Sequence, residues 1–162
     1  MAWRRWYLRN TAHGLRLCPL VSNINQHWKP GEPYCAYDAT FDANSPRYQN
    51  SAKSLDLKTF YTSDAGIYAV KNYNQYDDEG GRELMYDIAG SVYLWGEVIE
   101  YTRGYRAQYA YPKHLWIEPH VIDNTHSIQS HESWLDTKMT RLAIAQELRR
   151  IYGVEVTVGS PE

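Results

Sequence analysis

The feature that most constrains this chain is a pair of alternating runs that predicts a long β-hairpin. From Ile88 to Tyr101, apolar residues occupy both faces of the run, which is typical of a central strand. Thr102-Arg103-Gly104 is a tight turn into a second run, Tyr105 to Tyr111, which Pro112 is expected to end. Gly96 predicts a β-bulge or a close backbone approach. Strict alternation divides the first run into Val92, Leu94, Gly96 and Val98 on one face and Tyr93, Trp95, Glu97, Ile99 and Tyr101 on the other.

Shorter apolar runs predict further strands. They lie at Trp3–Leu8, Leu15–Val21, Tyr34–Phe41, Leu115–Ile117 and Val154–Val158. The first is capable of forming an edge strand, and Pro19 in the second favours an edge position over a central one. Turn residues predict loops over Ser22–Pro33 and Asp42–Leu57. The segment Asp64–Lys71 fits a helix start or a strand.

An amphipathic helix is predicted over Trp134–Tyr152. Ser133 is a suitable N-cap, and Gly153 stands where a C-cap glycine belongs. The helix is expected to pack onto the sheet that contains Val92–Val98. Its apolar stripe is read as Leu135, Met139, Leu142, Ala145, Leu148 and Tyr152.

Together these patterns predict an α+β fold in a single globular domain, residues 1–162. Many short strands with one late helix and no βαβ repeat favour a strongly bent antiparallel sheet or a small β-barrel. The C-terminal amphipathic helix is followed by a short strand. Cys18 and Cys35 are expected to be free thiols, although one disulfide is possible.

Charge and composition limit the function classes. The net charge of −2 lacks the strongly basic balance of a non-specific nucleic-acid binder. The layout is uneven, because residues 1–31 carry five basic side chains and no acid, whereas residues 73–100 carry seven acids and Arg82. The two blocks either pair with each other or form a binding face. No apolar run approaches a membrane span and no secretion signal precedes the fold, so we expect a cytoplasmic protein without a membrane partner.

No motif in the sequence has the specificity of a catalytic site. There is no phosphate-binding glycine loop, and His131-Glu132-Ser133-Trp134-Leu135 has leucine where a zinc protease needs its second histidine. We therefore expect neither catalytic residues nor a cofactor. A divalent metal could use His120, Asp123, His126 and His131, but their spacing matches no standard site, and a loop with solvated histidines is the favoured interpretation.

The candidate ligand-binding residues are aromatic and arginine side chains. The chain holds 6 Trp and 15 Tyr against 2 Phe, and rings with a polar end suit binding faces as well as half-buried strands. Phenol and guanidinium groups can stack on bases or pair with phosphates. The alternative is that the arginines form cross-strand ion pairs with Glu97 and Glu100. The candidates are Trp95, Arg103, Tyr105, Arg106, Tyr109, Tyr111, Arg4 and Arg5.

A family resemblance is spread over most of the chain. The chain resembles a group of uncharacterised small proteins of actinobacteria and their phages at Gly90–Glu100 and Gly104–Pro112, and also at the Trp3-Arg4 opening, Trp28–Pro33, Gly66–Ala69 and Tyr152–Val154. Members of that group often have a Cys-x-Cys pair where this chain has Ser63 and Ala65, so the resemblance implies no metal or redox role here. The hairpin is also loosely similar to the barrel hairpin of PUA-like domains, which read nucleic acids or modified bases.

These observations favour a non-catalytic binding module for a nucleic acid or nucleotide. The alternative is a structural or interaction protein, which the resemblance implies could be phage-encoded, with a protein partner on its aromatic surface. A metal-dependent hydrolase using the histidine-rich segment is the third hypothesis.

Overall fold

The computed structural model describes residues 1–19, 27–35, 57–62, 65–74, 88–117 and 141–161. The described strands are β1 (Ala2–Thr11), β2 (Gly14–Cys18), β3 (Tyr34–Cys35), β4 (Ile67–Val70), β5 (Ile88–Glu100), β6 (Gly104–Ile117) and β7 (Glu155–Val158). The described helices are α1 (Leu57–Thr62) and α2 (Arg141–Tyr152). Neither of these helices is long and apolar enough to cross a membrane.

The fold is α+β and is built on one strongly bent sheet. Strand β6 pairs along one side with β5 and along the other with β4, β3 and β7. Strand β1 pairs with both β5 and β4, so hydrogen bonds close a ring through β1, β5, β6 and β4. All these pairings are antiparallel except β6 with β7, which is parallel.

The β5–β6 hairpin confirms the predicted bulge at Gly96. Trp95 pairs with Tyr109, but the next pair is Val98 with Ala107, so one extra residue lies on β5. Gly96 has a φ of 75°, which favours glycine over residues with a side chain. The bulge shifts the alternation by one residue. Consequently Ile99 packs against the core, whereas Val98, expected on the same face as Val92 and Leu94, is 41% exposed.

Pro112 does not end the second strand, contrary to the sequence prediction. Strand β6 continues through it, so the run Leu115–Ile117 belongs to β6. Two features accommodate the proline. The register shifts there. Val92 pairs with Pro112, but Ser91 pairs with His114, so Lys113 has no residue opposite it on β5. On the opposite side, the pairing of β6 with β3 ends at Ala110 and its pairing with β7 begins at His114, so the described ladder has a gap where the proline lacks an N–H.

The C-terminal helix is confirmed, but its buried stripe differs from the prediction. Residues 134–140, including the expected core positions Leu135 and Met139, lie outside the described part of the chain. Leu142 is 59% exposed, and the core positions of α2 are Ile144, Ala145, Leu148 and Tyr152. Side chains two residues apart point in directions about 200° apart around the axis of an α-helix. Because Ile144 is buried, Leu142 points toward solvent. Gly153 caps the helix with a φ of 68°, and its N–H donates to Arg149 O at 3.0 Å.

Near the amino terminus, β1 is not an edge strand, although its sequence is compatible with one, because it pairs with β2, β4 and β5. Strand β2 forms an antiparallel hairpin with it, and its Leu17 bridges Trp28, a residue of the predicted loop. The other predicted loop lies outside the described residues up to position 56, and its last residue, Leu57, begins α1. Within the segment that fitted either a helix or a strand, Ile67–Val70 form β4.

Tyr152 joins the end of α2 to this amino-terminal region. Its hydroxyl donates to Trp28 O at 2.6 Å and accepts from Leu17 N–H at 2.9 Å. Burial raises the pKa of this phenol, which keeps the hydroxyl protonated as the donor that Trp28 O needs. The core around it is formed by large side chains that are fully buried, including Trp6, Leu8, Leu17, Trp28, Phe60, Ile88, Leu115, Ile117, Ile144 and Leu148.

Candidate nucleic-acid interface

Arg106, a candidate binding residue, lies inside the protein. Its side chain is 5% exposed, and its Nη1 donates to Phe60 O at 2.7 Å and to Ala65 O at 2.8 Å. Its Nε donates to the Tyr101 hydroxyl at 3.2 Å, and the guanidinium lies 4.5 Å from the centre of the Phe60 ring. Gly66 makes room for it, because a Cβ there would lie 2.5 Å from Arg106 Cγ. Arg106 therefore connects α1 to the β5–β6 hairpin through hydrogen bonds and is not part of an exposed face.

The two acids considered as cross-strand partners contact other residues. Glu100 pairs with Lys71 at 2.5 Å, and this ammonium lowers the pKa of its carboxyl group. Glu97 accepts a hydrogen bond from the Tyr61 hydroxyl, which raises the pKa of that phenol. These contacts connect β5 to the residue after β4 and to α1.

Three more candidates have structural contacts. The Tyr111 hydroxyl donates to Tyr152 O at 2.9 Å and accepts from Gly31 N–H at 2.8 Å. Tyr105 packs against the core. Arg4 donates to a backbone carbonyl of β4, and its guanidinium lies 5.6 Å from the Trp28 ring. Their side chains serve the fold.

Trp95 and Tyr109 form an aromatic pair on the surface of the hairpin. Their ring centres are 6.0 Å apart with an angle of 24° between the ring planes. Trp95 is 39% exposed, and Tyr93, two residues earlier on the same strand, is 54% exposed. The Lys113 ammonium lies 5.6 Å from the centre of the Tyr93 ring. We call Tyr93, Trp95, Tyr109 and Lys113 the hairpin platform; Arg103, another candidate, is exposed in the turn beyond it.

A second set of aromatic and basic side chains lies on β1. Strand alternation directs Trp3, Arg5, Tyr7 and Arg9, which we call the β1 row, away from the buried Trp6. Trp3 lies 5.2 Å from Trp116 between ring centres, and the Arg5 guanidinium lies 4.9 Å from the Tyr73 ring. His114 stacks on Trp116 at 3.8 Å.

The platform and the β1 row lie side by side on one face of the sheet. Trp3 pairs with Ser91 of β5, and Tyr93 follows Ser91 by two residues on the same face. A two-residue step along a strand is about 7 Å. The arrangement therefore offers stacked rings and cations along one continuous surface.

Sequence reasoning missed two platform residues for different reasons. Tyr93 was placed on the correct face but not singled out, although its spacing of two from Trp95 was a usable signal. Lys113 was missed because Pro112 predicts the end of the strand.

The candidate metal ligands His120, Asp123, His126 and His131 lie outside the described residues. Within the described ranges no group of three or more His, Cys, Asp or Glu residues could hold a metal ion.

Comparison of the chain with protein-family models, with curated proteins and with solved structures gives no match. The resemblances drawn from the sequence therefore stay predictions.

Replacing Arg106 by alanine is expected to lower the free energy of unfolding by about 2 kcal/mol or more. The substitution leaves the carbonyls of Phe60 and Ala65 without their donor, and a buried polar group left unpaired costs roughly 1 to 3 kcal/mol. Denaturant titration measures the loss. Arg103→Ala, which removes an exposed arginine nearby, should cost less. Equal losses in the two variants would show that the Arg106 contacts do not stabilise the fold.

Proposed function

We propose that this chain is a non-catalytic binding module for nucleic acid or a nucleotide, with bases stacking on the hairpin platform. The observation that carries the proposal is the near-parallel pair of the exposed Trp95 and the half-buried Tyr109 beside Tyr93 and Lys113. A cytoplasmic location, where such ligands are abundant, belongs to the same proposal.

The chemistry of the platform supports single-stranded ligands over duplexes. A base can stack on an aromatic side chain only when its own face is open, as in a single strand or a free nucleotide. Each such stack contributes about 1 to 3 kcal/mol to binding. Tyr93 and Trp95 are about 7 Å apart along their strand, which leaves space for successive bases of an extended strand. Lys113 supplies a cation beside the rings for a phosphate.

The β1 row extends the same surface. Arg5 and Arg9 alternate with Trp3 and Tyr7, so cations and rings recur at the two-residue spacing of a strand. A strand that stacks on Tyr93 could continue toward Trp3, because the two residues lie on adjacent strands of one face. The proposed binding surface is therefore longer than one nucleotide.

Replacing Trp95 by alanine is expected to weaken binding of a fluorescently labelled single-stranded oligonucleotide about tenfold, because one base loses its stacking partner. Fluorescence anisotropy at several salt concentrations measures the dissociation constant. The salt dependence should persist in this variant, since no cation is removed.

Two matched variants control for non-specific effects. Val98→Ala removes an exposed apolar side chain from the same strand outside the platform and should leave binding unchanged. Lys113→Gln should weaken binding and flatten its salt dependence, whereas Lys58→Gln, which removes an exposed cation on α1, should not. If Trp95→Ala and Val98→Ala bind alike, bases do not stack on the platform.

A protein partner is the second candidate function, and one observation favours it. Beyond Val92, β5 pairs only with β6 among the described strands, and Val98 and Tyr101 are exposed along this part. An unpaired strand edge beside apolar side chains can accept a further strand. Absence of oligonucleotide binding by the unaltered protein, together with loss of self-association or of a purified partner in a Val98→Glu variant, would favour this function.

A further inference from the structure

Two arginines face each other at the β1–β2 hairpin. Arg9 and Arg16 are direct partners in the antiparallel register, so their side chains emerge on the same face. Like charges directly opposite each other destabilise a strand pair. The hairpin therefore carries a repulsion that a bound anion would relieve.

More basic side chains surround this pair. The pKa of the His27 imidazole is lowered, first by its partial burial and then by Arg16, Lys29 and His13. Such an effect requires that Arg16, Lys29 and His13 lie near the ring. We call Arg9, His13, Arg16, His27 and Lys29 the β1–β2 patch.

The turn of the β1–β2 hairpin is stabilised by hydrogen bonds within the turn. Thr11 Oγ1 donates to Gly14 O at 2.9 Å and accepts from His13 N–H at 3.1 Å. Arg16 Nη1 donates to Leu15 O at 2.7 Å, while its buried Nε has no hydrogen-bond acceptor among the described residues. A turn that is already fixed loses little conformational freedom when its arginines bind an anion.

Among the described residues, the acids near the patch do not neutralise it. Glu147 on α2 is held by Arg150 at 2.6 Å, and Arg150 rather than Arg16 is the main cause of its lowered pKa. Glu32 is 4.0 Å from Lys29, and both side chains are largely exposed, so their pairing is weak. The described residues at this end of the sheet therefore carry an excess of positive charge.

We propose that the β1–β2 patch is a phosphate-binding site that holds the backbone of the strand whose bases stack on the hairpin platform. The inference rests on the proposed function for the source of the phosphates, but its chemistry is independent of bases. Arginine pairs are well matched to phosphate oxygens, because each guanidinium can donate two parallel hydrogen bonds. Arg9 belongs both to the β1 row and to the patch, which connects the two parts of the surface.

Two base-free probes test the site: inorganic tripolyphosphate and an oligonucleotide with abasic sugars throughout. We expect the double variant Arg9→Gln, Arg16→Gln to bind both probes at least about tenfold more weakly and to lose about 1.4 units of the salt slope for the abasic single strand. Lys58→Gln, which removes an exposed cation elsewhere, should change neither. The melting temperature of Arg9→Gln should be unchanged or higher, because the repulsion across the hairpin is gone.

NMR provides a second readout that a purely structural role would not move. Bound phosphate should raise the pKa of His27 toward its ordinary value, since the anion offsets Arg16, Lys29 and His13. In the double variant, tripolyphosphate should produce a smaller rise.

The outcomes separate this inference from the proposed function. If the intact and abasic strands bind equally well through the patch, stacking on the platform is refuted and the phosphate site stands. If the double variant binds both base-free probes as tightly as Lys58→Gln does, the phosphate site is refuted, whatever the platform does. If neither probe binds the unaltered protein, the phosphate site is likewise refuted.

Discussion

Replacing Trp28 by alanine is expected to lower the free energy of unfolding by about 3 to 5 kcal/mol. The indole is 1% exposed. It stacks on Tyr34 with ring centres 4.7 Å apart and meets the edge of Trp6 at 5.1 Å. Alanine leaves a large cavity among these rings and removes two aromatic contacts. Denaturant titration followed by far-UV circular dichroism measures the effect.

Trp95→Ala is the matched control, because it removes the same side chain from the surface. Trp95 contacts Tyr109 but is partly exposed, so its loss should cost much less stability. Similar losses in the two variants would place Trp28 outside the core and contradict the packing described above. A large loss at Trp95 alone would show that the platform serves the fold instead of a ligand.

Trp28 also shows why part of the core was invisible in the sequence. It precedes Pro30 and Gly31, and such neighbours predict a loop by their backbone preferences. Its burial depends on partners far along the chain: Trp6 of β1 and Tyr152, whose hydroxyl donates to its carbonyl oxygen. Local patterns do not report such contacts. The segment is a loop by conformation, and yet its indole is part of the core.

The hairpin was predictable because its signals are local. Alternation, a turn and Gly96 are all read within a few residues, and the structure confirms the two strands and the bulge. The effect of the bulge on later residues was missed because strict alternation was continued past it, so Val98 and Ile99 were assigned to the wrong faces. Pro112 was misjudged because its tolerance depends on where neighbouring strands end.

Among the candidate binding residues, too, local signals gave correct predictions and distant contacts were missed. The residue types predicted an aromatic and basic surface, and Trp95 and Tyr109 do lie together on it. Arg106 was assigned to the same surface, but its acceptors are carbonyls of Phe60 and Ala65, more than forty residues earlier in the chain. A buried arginine and an exposed one have the same sequence signature when their partners are that distant. The sequence showed the basic patch on the β1–β2 hairpin only as an excess of positive charge. Arg9 and Arg16 lie opposite each other because of the strand register, which the sequence does not reveal.

Replacing Leu148 by alanine is expected to cost about 2 to 5 kcal/mol, a large share of the roughly 5 to 15 kcal/mol that stabilises a typical domain. Leu148 is fully buried in the core of α2, one turn after Ile144 and one turn before Tyr152. Removing its side chain leaves a cavity on the helix face that packs toward β7 and β6. The melting temperature should fall by many degrees.

Leu142→Ala on the same helix should leave the melting temperature almost unchanged, because this leucine is largely exposed. The pair of variants distinguishes the two possible apolar stripes of the helix, since both replace a leucine by alanine. A large loss at Leu142 with a small loss at Leu148 would mean that α2 is rotated relative to the sheet. Tyr152 could then not donate to Trp28 O while accepting from Leu17, and the connection between the two ends of the chain would have to be drawn differently.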